Sequence, residues 1–339
     1  MTSPTDATPA DPMIEVADLR VEFSVSSGFG SRRARAVKAV DGVSLSIARG
    51  ETLGLVGESG CGKSTFGKVL VRLLDATAGT VILHDETTGA PMDLARARGK
   101  DLEQIRRRAQ IIFQDPYSSL NPAIPIVDSL RRGLNKHKIG TRKEQRALLA
   151  ELFRKVNLRP EYLDRYPHEF SGGQRQRIAI VRALSINPEF VVCDEAVSAL
   201  DVSVQAQVLD LLKEFKAERR LTYLFISHDL SVVEYMADRV AVMYLGQIVE
   251  LTDSTQLFAD PQHPYTKALL SAIPTIDAAT RRQRIVLAGE IASPANPPAG
   301  CRFHPRCPIA VDKCAQLPPP LRNIGTPDAP HLVSCHLVD

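Results

Sequence analysis

An α/β fold, in which a mostly parallel sheet carries a helical insertion and a loop-rich carboxy-terminal portion, is what this sequence predicts, and three observations carry the prediction. Short apolar, largely β-branched runs at 52–56, 109–113, 189–193, 221–226 and 239–243 alternate with longer helical stretches. The segment 115–169 holds helical patterns such as 143–156 and no convincing strand. Beyond Asp260 the composition turns to proline, at 261, 264, 274, 294, 297, 298, 305, 308, 318, 319 and 320.

Each element follows from its residues. Runs that are apolar at nearly every position suit strands covered on both faces, the condition of a parallel sheet flanked by helices. Proline at the density found after 260 excludes long helices, so a separate, loop-rich unit is expected from there on. Residues 1–12, rich in Ser, Thr, Pro and Asp, read as a flexible tail, without the basic start and apolar run of a signal peptide. The expected division is therefore a tail at 1–12, an α/β domain at 13–260 with a helical subdomain at about 115–169, and a carboxy-terminal domain at 261–339.

Composition narrows the class. The 339 residues are 44% hydrophobic and 24% charged, which excludes a disordered, collagenous or coiled-coil chain. Forty-two basic against 39 acidic residues leave a net charge of +3, too balanced to indicate a nucleic-acid binder, and no nucleic-acid partner is expected. No run approaches the roughly 18 apolar residues of a membrane span, so a cytoplasmic chain is the default. Six cysteines in such a chain argue for metal or redox chemistry before disulfides, and Cys301, Cys307, Cys314 and Cys335 crowd the last 39 residues.

Residues 57–64 read Gly-Glu-Ser-Gly-Cys-Gly-Lys-Ser and fit G-x-x-x-x-G-K-[ST] between a strand-like run and a helical one, the context a P-loop requires. Glycines let successive backbone N–H groups turn inward on an anion, and the following helix adds its positive end. Lys63 would then reach the β- and γ-phosphates and Ser64 a magnesium ion. Cys61 occupies a variable position and reads as a small filler. A second acidic feature closes the run 190–193: Asp194 is placed to hold magnesium and Glu195 to polarise a water as general base. An acidic pair after a strand is by itself an exposed loop end; its pairing with a P-loop gives it the functional reading. Cys193, inside that apolar run, reads as a buried hydrophobe.

Phe170-Ser171-Gly172-Gly173-Gln174 precedes a second apolar-periodic stretch. Ser171 can cap a helix whose free N–H groups face an anion, a second phosphate-binding end in a chain whose first is complete. That surplus makes sense if the second end serves a nucleotide held by a neighbouring subunit. With these motifs in order, the sequence over about 14–260 resembles the nucleotide-binding subunit of an ABC transporter, a RecA-like P-loop NTPase with a helical subdomain. The resemblance implies ATP contacts from Gly57, Ser59, Gly60, Cys61, Gly62, Lys63, Ser64 and Thr65. It implies contacts in trans from Ser171, Gly172, Gly173, Gln174 and, in the D-loop 198–201, Asp201. Gln114 resembles the Q-loop glutamine that touches magnesium and couples to membrane subunits, and His228 the switch histidine at the γ-phosphate. Catalysis would rest on Glu195, His228 and Lys63, with magnesium held by Ser64, Gln114 and Asp194. Phe23 is the best-placed ring to stack on adenine, the alternative being an ordinary strand residue. The basic runs at Arg32, Arg33 and Arg35 and at Arg106, Arg107 and Arg108 read as solvated surface, with contact to membrane subunits or headgroups as the alternative.

The stretches 289–294 and 300–308, together with His263-Pro264-Tyr265-Thr266-Lys267-Ala268-Leu269-Leu270, resemble the carboxy-terminal extension of oligopeptide and dipeptide ABC transporter ATPases. In that family the four cysteines are associated with a four-iron, four-sulfur (4Fe–4S) cluster, which the resemblance implies for Cys301, Cys307, Cys314 and Cys335, with a structural role. Zinc is the alternative, since four thiolates also suit its tetrahedral site and His304, His331 and His336 are nearby spare ligands. The stretches 117–122 and 196–201 resemble the F-type partner of these importers. They imply a heterodimer with a D-type ATPase at the cytoplasmic face of the inner membrane, two integral permease subunits and an extracytoplasmic peptide-binding protein. A soluble ABC ATPase acting on ribosomes or nucleic acid, and importers of nickel or glutathione, stand as alternatives.

Overall fold

The computed structural model describes residues 11–25, 35–85, 91–115, 120–273, 285–290 and 292–338. Residues 1–10 of the tail expected at 1–12, residues 117–119 of the F-type resemblance, and Arg32 and Arg33 lie outside the described residues.

The chain opens on a long antiparallel pair, β1 (Pro12–Val25) and β2 (Arg35–Ala48). Strand β3 (Thr52–Val56) then leads into α1 (Lys63–Leu70), followed by β4 (Ala78–His84) and β5 (Pro91–Asp93). Helix α2 (Gly99–Arg108) precedes β6 (Ala109–Ile112). The insertion holds α3 (Ile126–Lys136), α4 (Arg142–Lys155) and two short 3-10 turns before α5 (Gly172–Leu184). Next come β7 (Phe190–Asp194), α6 (Val202–Arg219), β8 (Thr222–Ile226), α7 (Leu230–Met236), β9 (Arg239–Tyr244) and β10 (Gln247–Asp253). Helices α8 (Ser254–Ala259), α9 (Pro264–Ser271) and α10 (Asp312–Gln316) precede the two-residue strands β11 (Arg322–Asn323) and β12 (Leu332–Val333).

These strands form two sheets, one ordered β2-β1-β4-β5 and one ordered β11-β12-β10-β9-β3-β8-β7-β6. Pairing is parallel from β9 through β3, β8 and β7 to β6, and antiparallel at β10 and β12. Every residue of β3, β7 and β8 is buried, which is why their sequences carry no polar alternation. One core lies between the two sheets around Leu53, Leu55, Phe66 and Phe190. The other joins the opposite face of the large sheet to the helical insertion and includes Val191, Phe225, Phe153 and Leu130.

In the insertion, Ile126, Leu130 and Leu134 recur every four residues and put one face of α3 inward against Leu149, Leu152 and Phe153 of α4. Thr141 and Glu144 close a reciprocal capping box at the start of α4, a device worth about 1 kcal/mol. Past residue 260 the chain shares the main core: Tyr265, Leu270 and Phe303 belong to the same buried cluster as Val242 and Tyr244. Strand β12 adds to the sheet edge through Glu250↔Val333 and Leu251↔Leu332. Buried Glu250 accepts from the backbone N–H groups of Gln262 (2.7 Å) and His263 (2.9 Å) and lies 2.7 Å from His331 Nε2. Burial pushes its carboxyl up, and these partners outweigh it and hold it below the usual range. Arg302, also buried, bonds Asp41 and the Leu245 carbonyl.

Candidate functional site

The loop at 57–62 leaves the carboxyl end of central strand β3 and turns into α1. Gly57 (φ 149°) and Gly62 (φ 110°) take backbone conformations that side chains avoid, and a Cβ on either would stand 2.1 Å from the Met243 carbonyl or 2.0 Å from the Ala39 carbonyl. The loop is thus a cradle that only glycine can line at those two points. The amides of the first turn of α1, including those of Lys63, Ser64 and Thr65, have no acceptor within their own helix and present positive potential to the cradle. Lys63 is 5% exposed and donates to the carbonyls of Gly57 (2.7 Å) and Glu58 (2.9 Å), folded back over the loop it would serve. Ser59 and Gly60 are exposed at the tip. Cys61 is buried, and burial foremost raises its thiol pKa against the pull of Lys63, so it is a neutral packing group.

Strand β7, separated from β3 by β8, ends beside α1. Ser64 Oγ donates to Asp194 Oδ1 at 2.7 Å, joining residues 130 apart in sequence. Burial raises the Asp194 carboxyl and the Ser64 hydroxyl only partly offsets it. Glu195 follows at φ 50°, the left-handed region, and its N–H donates to the Ile226 carbonyl at 3.0 Å. Its Oε2 accepts from Gln114 Nε2 at 2.9 Å and lies 3.4 Å from His228 Nδ1. Gln114 comes from the loop after β6, and 60%-exposed His228 from the loop after β8. Three adjacent parallel strands therefore deliver Gln114, Glu195 and His228 to one point at their carboxyl ends, beside the Ser64–Asp194 pair. Gln114 Nε2 also lies 3.5 Å from Ser198 Oγ, the first residue of the stretch 198–201.

The trans-acting candidates stand apart from this cluster, at the exposed starts of two helices. Ser171 caps α5 and closes a box with Gln174 through a 3.0 Å bond to Gln174 Oε1, with Gly172 and Gly173 in the first turn. Asp201 caps α6 by accepting from Val204 N at 3.0 Å, which keeps its carboxyl below the usual range. Phe23 lies on β1 opposite Val37 with 41% of its surface exposed, an accessible ring.

The four cysteines expected to hold a cluster form no disulfide among themselves. Cys301, Cys307, Cys314 and Cys335 are free thiols in one corner: Cys301 N–H donates to the Cys314 carbonyl at 2.8 Å, and burial, then the neighbouring thiols, raises the pKa of Cys301 and Cys307. Among the described residues, however, no group of three or more His, Cys, Asp and Glu side chains is arranged to hold a metal ion. The spare histidines are engaged elsewhere: His304 Nδ1 lies 2.8 Å from the Cys301 carbonyl, His331 meets Glu250, and His336 Nε2 lies 2.9 Å from the Leu317 carbonyl.

A glycine cradle at the end of a central parallel strand, with a carboxylate pair at the end of the strand two places over, defines a P-loop nucleotide-hydrolysing protein. Residues 40–198 match the ABC transporter family, and residues 249–314 match the oligopeptide/dipeptide transporter C-terminal region. The chain is 48% identical over 328 residues to the oligopeptide transport ATP-binding protein AppF of Bacillus subtilis, covering 96% of this chain and 97% of that one. It is 52% identical over 292 residues to a putative peptide import ATP-binding protein of Brucella ovis, covering 86% and 90% respectively. The chain belongs to the ATP-binding proteins of the ABC transporter family, in the branch with the oligopeptide/dipeptide C-terminal region. Among solved structures it resembles the dimeric bacterial ABC transporter cassette MJ0796, with a TM-score of 0.62, 25% identity, and coverage of 71% of this chain and 99% of that one. It also resembles cbiO1 of Clostridium perfringens, with a TM-score of 0.61, 25% identity, and coverage of 74% and 92%. Among the described residues no helix is long and apolar enough to cross a membrane.

Proposed function

We propose that this protein is the ATP-hydrolysing subunit of an ABC importer of peptides, seated at the cytoplasmic face of the membrane. The observation that carries the reading is the convergence of Gln114, Glu195 and His228 beside the Ser64–Asp194 pair, in a chain whose relatives along nearly its full length are named as oligopeptide transport or peptide import ATP-binding proteins.

In this reading the cradle formed by Gly57, Ser59, Gly60, Cys61, Gly62, Lys63, Ser64 and Thr65 takes the phosphates of ATP, and the Lys63 ammonium leaves the loop carbonyls for the phosphate oxygens. Ser64, Asp194 and Gln114 would hold magnesium, which when bound would supply positive charge against the phosphates. Their donor set fits a hard cation, an oxygen-only cluster whose buried carboxylate has a hydroxyl as its nearest hydrogen-bond partner. Glu195 takes the proton of the attacking water, while Gln114 and His228 fix the orientation of its carboxylate, a role worth about 10²–10⁴ in rate. Phe23 offers a ring face to adenine. The exposed caps of α5 and α6, with Ser171, Gly172, Gly173, Gln174 and Asp201, serve the nucleotide of a second ATPase subunit, consistent with the dimeric cassette it resembles. A D-type partner, two permease subunits and an extracytoplasmic binding protein complete the machine.

The 4Fe–4S assignment for Cys301, Cys307, Cys314 and Cys335 stays a proposal supported by their shared corner alone, and no step of hydrolysis depends on it. Iron and zinc analysis of anaerobically purified protein tests it; about four irons per chain with absorbance near 400 nm supports the cluster, and stoichiometric zinc replaces it. The function is tested by co-expressing the chain with the membrane subunits encoded beside it. Peptide-stimulated ATP hydrolysis in vesicles is the expected result. Stimulation by nickel or glutathione instead reassigns the cargo, and a chain that stays soluble and tracks with ribosomes overturns the importer reading.

A further inference from the structure

The geometry points to Arg306 and Tyr265, both outside the ATP-binding cassette, as positioning residues that set the conformation of the phosphate loop through Glu58. The inference rests on the proposed ATP site and adds to it two residues from the carboxy-terminal region.

Glu58 is the second residue of the loop, and its peptide and side chain are held from three directions. Its N–H donates to Tyr265 Oη at 2.8 Å, so that amide is turned toward the carboxy-terminal region and away from the cradle. Its carbonyl accepts from Lys63 Nζ at 2.9 Å and, at 3.3 Å, from Cys61 N–H. Its carboxylate accepts both terminal nitrogens of Arg306, Nη1 on Oε2 at 2.7 Å and Nη2 on Oε1 at 2.9 Å. A parallel two-bond guanidinium–carboxylate pair fixes direction as well as distance. The pair is also sheltered, with the Arg306 side chain 8% and that of Glu58 23% exposed, so it is not the screened surface pair that contributes little.

The anchors are rigid. Tyr265 is fully buried and packs with Tyr244 and Phe303 in an aromatic cluster, with ring centroids 4.7–5.5 Å apart. Arg306 Nη1 also reaches Tyr244 Oη at 3.5 Å. Arg306 and Glu58 are 248 positions apart in sequence, so the contact ties the last part of the chain directly to the loop that carries Lys63. Because Lys63 docks on the carbonyl of the residue whose N–H Tyr265 holds and whose carboxylate Arg306 holds, loosening Glu58 frees the carbonyl against which the ammonium is stationed. The expected consequence is weaker nucleotide binding with little change in fold stability.

The test is equilibrium titration of the full-length protein with a fluorescent ATP analogue and magnesium, with the thermal midpoint of each nucleotide-free variant alongside. Arg306→Gln is expected to weaken binding about tenfold, within the usual range for coupling between sites, and Arg306→Lys to recover part of the loss. Tyr265→Phe keeps the buried ring and removes only the acceptor, and is expected to weaken binding several-fold. The double variant Glu58→Gln/Arg306→Gln is expected to bind no worse than Arg306→Gln, because one interaction is lost once. Unchanged affinity in Arg306→Gln and Tyr265→Phe, or losses that multiply in the double variant, overturns the inference while wild-type binding leaves the ATP-site reading intact. A wild-type protein that fails to bind the analogue overturns both.

Discussion

Replacing Glu195 with glutamine isolates the charge of the proposed base from its shape. Glutamine has the same length, bears the φ of 50° no worse, and keeps an oxygen that accepts from Gln114 Nε2, now 2.9 Å away. What it cannot do is take a proton from water. A positioned general base contributes about 10²–10⁴ in rate, so the substitution is expected to add about 3–5 kcal/mol to the barrier of hydrolysis. Ground-state affinity should hold, because the loop, Lys63 and the Ser64–Asp194 pair (2.7 Å) are untouched. Phosphate release by the assembled complex gives the rate, and titration with a fluorescent ATP analogue gives the affinity. Turnover within about threefold of wild type would refute the assignment of Glu195 as base; a parallel collapse of affinity would show that the residue holds nucleotide.

Three further outcomes are expected. Gly62→Ala places a methyl 2.0 Å from the Ala39 carbonyl at φ 110°, so the cradle deforms and the titration should show more than tenfold weaker binding. Phe23→Ala should weaken nucleotide binding by about 1–3 kcal/mol if its ring stacks on the base, and leave it unchanged if Phe23 is only a strand residue. His263 caps α9 by accepting from Tyr265 N, and burial pushes its pKa down from 6.5 to about 4. A depressed pKa means that stability is fully present above about pH 6.5 and is lost as pH falls through 4. The linked amount is about 3 kcal/mol, so denaturant unfolding between pH 7 and 4 should show the gap between wild type and His263→Asn narrowing in acid.

Local signals made much of the architecture legible. The apolar runs at 52–56 and 221–226 lie on β3 and β8, because a strand buried on both faces writes its environment into consecutive residues. The helical pattern at 143–156 overlaps α4, helped by the capping box at Thr141. Strands β11 and β12 are not legible, since two residues carry no periodicity and the pairing of β12 with Glu250 and Leu251 of β10, and of β11 with β12, joins residues far apart along the chain or too few to show a pattern. In the site, the glycines and the Asp194–Glu195 doublet announce themselves by spacing. Arg306 does not: nothing near Pro305 or Cys307 says that its guanidinium ends on Glu58, a contact only the folded chain creates. The four cysteines are plain in sequence as a group, and their positions alone do not say which metal, if any, they hold.

The left-handed backbone of Glu195 has a consequence for anyone who selects this protein for robustness. A side chain other than glycine or asparagine resting at φ 50° costs about 1–2 kcal/mol, and the chain tolerates that cost at the residue proposed as the general base. Random libraries screened for heat resistance should therefore return asparagine or glycine at position 195 as winners, each sturdier than its parent and unable to turn over. Thermal screening without a counter-selection for hydrolysis would drive this motor toward a well-folded, inert clamp.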